Sequence, residues 1–67
     1  MDFDKAIKIQ NNRRAYAKVI SKTYELHMTP RSCIIRYCMK EGVRFSSDAM
    51  SFIEKEVERI LYARSLI

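Results

Sequence analysis

The residues of this chain able to do covalent or metal chemistry are few: Cys33, Cys38, one histidine at His27, and eight carboxylates scattered over 67 positions. A zinc site needs Cys and His in close-set pairs such as Cys-x-x-Cys, and no such pair occurs. Cys33 and Cys38 stand five apart, about 140° around a helix, so they cannot bridge each other. Both read as reduced thiols acting as small apolar residues of an intracellular protein. His27 falls at the end of a helical stretch, where an imidazole partners the terminal carbonyls. No glycine-rich phosphate loop and no nucleophile beside a base can be assembled, so no enzyme, no cofactor and no small-molecule substrate is expected.

Charge is the remaining chemistry. The net charge is +5, and it is unevenly placed. Residues 1–28 carry Lys5, Lys8, Arg13, Arg14, Lys18 and Lys22 against Asp2, Asp4 and Glu25, a balance of +3. Residues 29–45 carry Arg31, Arg36, Lys40 and Arg44 against Glu41, again +3, and residues 46–67 come to −1. A basic region followed by an acidic one suits phosphate recognition, although excess lysine also serves plain solubility.

The elements that must carry these charges read as helices. One glycine and one proline, with no repeat and no low-complexity tract, exclude a β-sandwich or a solenoid. No apolar run approaches the 18 residues of a membrane span, and the opening MDFDKAIKIQ is unlike a signal peptide. The expected fold is all-α, a single helical domain over 1–67, with helices at about 3–27, 30–41 and 47–67. In the first, Phe3, Ile7, Tyr16, Val19, Ile20 and Tyr24 fall near one face, while QNNRR at 10–14 interrupts the stripe. One helix is preferred over two shorter pieces.

Thr29 and Pro30 open the second helix as N-cap and first helical residue, and Gly42 closes it in the left-handed conformation. The third starts at Ser46 or Ser47, with Asp48 complementing the helix dipole. Its apolar face is Ala49, Met50, Ile53, Val57, Ile60, Leu61 and Ile67, with Glu54, Lys55, Glu58 and Arg59 pointing away. A chain this short buries only about 60% of its unfolded surface, so the long third helix is expected to be covered by the first helix or by another chain. Ile53, Val57, Ile60 and Leu61 are the expected dimer interface.

The stretch CIIRYCMKEGVRFSSDAMSFIEKEVERI resembles the first two helices of the histone fold, as found in archaeal histones and related chromatin and transcription subunits. The shared features are a short apolar-basic helix ending in Gly-Val, then an arginine, an apolar residue, Ser, an acidic residue and Ala opening a long central helix. The resemblance covers about residues 30–62. It implies a homodimer or a heterodimer with a similar subunit, formed by crossed central helices, and non-specific duplex DNA binding. It further implies Arg44 in the minor groove, with Arg31, Arg36 and Lys40 on phosphates, and a nucleoid-associated, cytoplasmic or nuclear setting. Lys5, Lys8, Arg13, Arg14, Lys18 and Lys22 are candidates to extend that surface, and which of them face DNA depends on the rotation of the N-terminal helix. The family's second loop and third short helix have no counterpart up to Ile67; whether the N-terminal helix takes their place, or a longer chain supplies them, stays open.

Two other readings compete. A helix-turn-helix reader would place Asp48, Glu54, Glu56 and Glu58 against phosphates, which repel them. A protein-protein interaction module, a dimerisation subunit that does not touch DNA, would use the same helices and turn its basic face to an acidic partner.

Overall fold

The computed structural model describes the backbone of residues 3–67 and the side chains from Asn12 onward; Phe3 and Ile7, expected on the apolar face, therefore lie outside the described side chains. Three helices follow in order: α1 (Phe3–Lys22), α2 (Pro30–Glu41) and α3 (Ser47–Ala63). Among the described residues there is no strand, so the all-α expectation holds, and no helix is long and apolar enough to cross a membrane.

The two inner boundaries follow the caps expected. Thr29 accepts a hydrogen bond from the Ser32 N–H at 3.1 Å with Pro30 at the first turn, and Ser46, rather than Ser47, accepts from the Ala49 N–H. Such caps stabilise a helix by about 1 kcal/mol each. Gly42 has φ 67°, and the Val43 N–H returns to the Cys38 carbonyl at 3.1 Å, closing α2.

The outer helices are shorter than their apolar patterns suggested. α1 ends at Lys22 instead of His27, because hydroxyls near its end bond back to its own last turns: Ser21 to the Lys18 carbonyl and Thr23 to the Ile20 carbonyl. The N–H groups of Thr23 and Tyr24 then close three residues back, on Ile20 and Ser21, tightening the end. His27 consequently sits in the connection, exposed and at φ 75°, five residues beyond the end of the helix it was expected to close. α3 stops at Ala63 because Ser65 turns left-handed at φ 57°, with Leu66 N–H bonded to Leu61 O and Ser65 N–H to Tyr62 O. That double closure is a Schellman motif, and it leaves Ile67 beyond the helix and about half exposed.

α2 runs antiparallel to α1, since Cys33 lies against Ile20 and Thr23 while Tyr37 lies against Tyr16. The core is Ala17, Ile20, Cys33, Ile34, Ile53, Val57 and Leu61. Val19, expected on the inner face of α1, points outward at 45% exposure, and Ala17 and Ser21 take the inner positions. Each fully buried Ile or Leu contributes about 1.5–3 kcal/mol, which is how a single small cluster holds three helices together.

The residues expected to meet a second chain are used inside the first. Ile53, Val57 and Leu61 are wholly buried in the core with Ala17 and Ile20 of α1, and Ile60 is half-buried beside them. The long apolar face of α3 thus finds its cover within one molecule, chiefly from α1.

Candidate nucleic-acid interface

The connection between α2 and α3 is the five residues Gly42–Ser46. Phe45 is half-buried and meets Tyr16 of α1 edge to face, ring centroids 5.0 Å apart at 74°, and Tyr16 meets Tyr37 of α2 in the same manner at 6.2 Å. This aromatic trio anchors the connection from inside, at about 0.5–1.5 kcal/mol per pair beyond burial. Its neighbour Arg44 is exposed. The site residue named from sequence is therefore held on an anchored turn, just ahead of the N-terminus of α3, where free N–H groups favour anions.

The other three cations expected at the site do not form one cluster with it. Lys40 is exposed in the last turn of α2, beside the turn that carries Arg44. Arg36 is one helical turn before it, but it is engaged: it pairs with Glu25 at 3.2 Å and donates to the Thr23 carbonyl, tying α2 to the connection that follows α1. Arg31 lies at the opposite end of α2, about 13 Å from Lys40 along the axis, and pairs with Glu54 of α3 at 3.1 Å. Both are surface pairs, worth about 0–1 kcal/mol, so phosphates can compete for them. Beside Arg36 and Lys40 the groove between α1 and α2, about 380 Å³, is also lined by Glu25 and Glu41, and its charges balance.

A second basic groove brings together Arg14 and Lys18, two of the N-terminal cations expected from sequence to extend the DNA surface, with Arg59, whose part in it the sequence did not single out. Between α1 and α3 lies a cleft of about 440 Å³ lined by Arg14, Lys18, Glu56, Arg59 and Ile60. Arg59 donates to Glu56 at 3.0 Å, and this hydrogen bond, with the charges of Arg59 and Arg14, holds the Glu56 carboxyl below its usual range despite partial burial. Nearby, the Arg13 guanidinium stands 6.0 Å from the centre of the Phe52 ring, a cation–π contact. The signal available in the sequence was the four-residue spacing of Arg14 and Lys18; what it lacked was the rotation of α1.

The thiols differ from each other. Cys33 is fully buried and donates to the Ile20 carbonyl at 3.3 Å, whereas Cys38 is half-buried and burial pushes its thiol pKa up. Both are free, and an upward shift disfavours the reactive thiolate.

Comparison of the chain with family models, with curated proteins and with solved structures returns no match in any of the three.

Proposed function

We propose that this is a non-enzymatic, sequence-nonspecific duplex DNA-binding protein whose primary contact is the α2–α3 connection. The observation that carries the reading is the exposed Arg44, flanked by exposed Lys40 and the N-terminus of α3, on a turn anchored through Phe45. The net charge of +5 and the histone-like pattern of residues 30–62 support it. Arg44 enters the minor groove, and Lys40, Arg36 and Arg31 follow the phosphates, so binding depends on groove shape and backbone charge rather than on base identity.

The test is a gel-shift series with two unrelated duplexes at two salt concentrations. Wild type should bind both duplexes alike and lose affinity steeply with salt, and Arg44→Ala should lower the slope of log affinity against log salt by about one. Binding unaffected by Arg44→Ala would remove the loop from the interface.

A second reading, a protein-interaction subunit without DNA contact, is favoured by one observation: Ile35 and Met39, a turn apart on the outer face of α2, are 43% and 80% exposed. A homodimer or heterodimer would build on such surface, because Ile53, Val57 and Leu61 are occupied unless α1 is displaced. Absence of duplex binding at low salt, together with a dimer in light scattering, would favour this reading.

A further inference from the structure

We propose that the α1–α3 groove is a second phosphate seat, which holds the sugar-phosphate backbone of a duplex apart from the loop contact; the inference rests on the DNA-binding function proposed above. Arg14 and Lys18 are exposed and one turn apart on α1, about 6 Å along its axis, and Arg59 faces them from α3. Three cations from two helices thus converge on one cleft of about 440 Å³ that contains, among the described residues, a single carboxylate, Glu56.

Glu56 does not cancel the site. It accepts from one terminal nitrogen of Arg59, and a guanidinium carries five N–H donors in a rigid fork. The pair therefore orients Arg59 and leaves its other donors unused by Glu56. The Glu56 side chain is only 20% exposed, so the groove retains an excess of two positive charges at its surface. Repeated charges along one helix, opposite an oriented guanidinium, match a run of phosphodiesters better than a lone carboxylate, because a duplex backbone offers successive charges to the separate cations.

The position is compatible with one duplex reaching both contacts. Glu56 and Arg59 lie 12 and 15 residues beyond Arg44 in the chain, mostly along α3, about 20 Å at a helical rise. DNA presents a charge every ~1.7 Å of axis. Arg13, held over Phe52 at 6.0 Å, lies next to Arg14 on the same helix and adds to the field.

The experiment measures the salt dependence of duplex affinity for four proteins: wild type, Arg14→Gln with Lys18→Gln, Lys40→Gln with Arg44→Gln, and a charge-matched control, Lys55→Gln with Arg64→Gln. Circular dichroism establishes that each is folded; all six positions are exposed and glutamine is a good helix former. The groove variant should lose about two units of slope, so that its affinity ratio between 50 mM and 200 mM salt is about 12-fold smaller than that of wild type, and the control should lose none. A slope unchanged in the groove variant but lowered in the loop variant would overturn the groove and leave the loop contact standing. An equal fall in the control would also overturn it, as an effect of net charge alone. No duplex binding by wild type would remove the function and the groove together.

Discussion

Gly42 and Ser65 each close a helix with a left-handed backbone, and they differ in how well they suit it. Gly42 at φ 67° has open space where a Cβ would stand, so a substitution there meets no neighbour and its cost is purely that of the backbone. Gly42→Ala is expected to destabilise by about 1 kcal/mol, a fall of about 4–8 °C in Tm for a domain this size. Ser65 at φ 57° already carries that strain at the end of α3, so Ser65→Gly should raise Tm or leave it unchanged, the relief being offset by added chain entropy in the unfolded state. Thermal melts of the two variants, read side by side, check the signs. The residue types were sufficient for Gly42 from sequence alone, since glycine after an amphipathic run points to a C-cap. Ser65 gave no such signal, and the helix was therefore read through to Ile67.

Among the elements, legibility followed how local the determining interactions are. α2 was readable at both ends because Thr29, Pro30 and Gly42 act within one turn of themselves. The C-terminus of α1 was not, since the back-bonds of Ser21 and Thr23 to carbonyls three residues earlier are ones that serine and threonine make inside helices as well as at their ends. The rotation of α1 was also hidden: Ala17 and Ser21 pack inward while Val19 faces out, and nothing in their types demands it. For the same reason Arg14 and Lys18 could be named from sequence only as a possible extension of the surface around Arg44, and their grouping with Arg59 could not, because that cleft exists only when two helices distant in sequence come together. The aromatic trio carries the prediction at this scale. Phe45→Leu keeps an apolar side chain but removes the edge-to-face contact with Tyr16, and should cost about 1 kcal/mol. It should also weaken duplex binding although no charge changes, because the turn that presents Arg44 loses its anchor. Chemical denaturation and gel shift on the same variant separate the two effects.

As a whole molecule the chain is open for its mass. Its extents are 42 × 26 × 16 Å and its radius of gyration is 12.2 Å, against about 11 Å for a compact chain of this length. Its accessible surface is 5184 Å², whereas a compact monomer of 8.0 kDa exposes about 4,450 Å². The excess, about 700 Å², follows from the elongated outline.

The buried sulfur of Cys33 has a use that follows from where it sits. It lies under α1, against the Ile20 carbonyl and 3.4 Å from the Thr23 hydroxyl, so an alkylating reagent reaches it only when the first helix lifts away. Cys38, half-buried outside that contact, should react sooner. The ratio of the two labelling rates, followed by intact-protein mass spectrometry, is then a natural clock for the opening of the bundle. Saturating duplex that grips α1 should slow the Cys33 hand of that clock and leave it coupled to unfolding alone, while equal rates for the two thiols would mean that α1 does not shield the core.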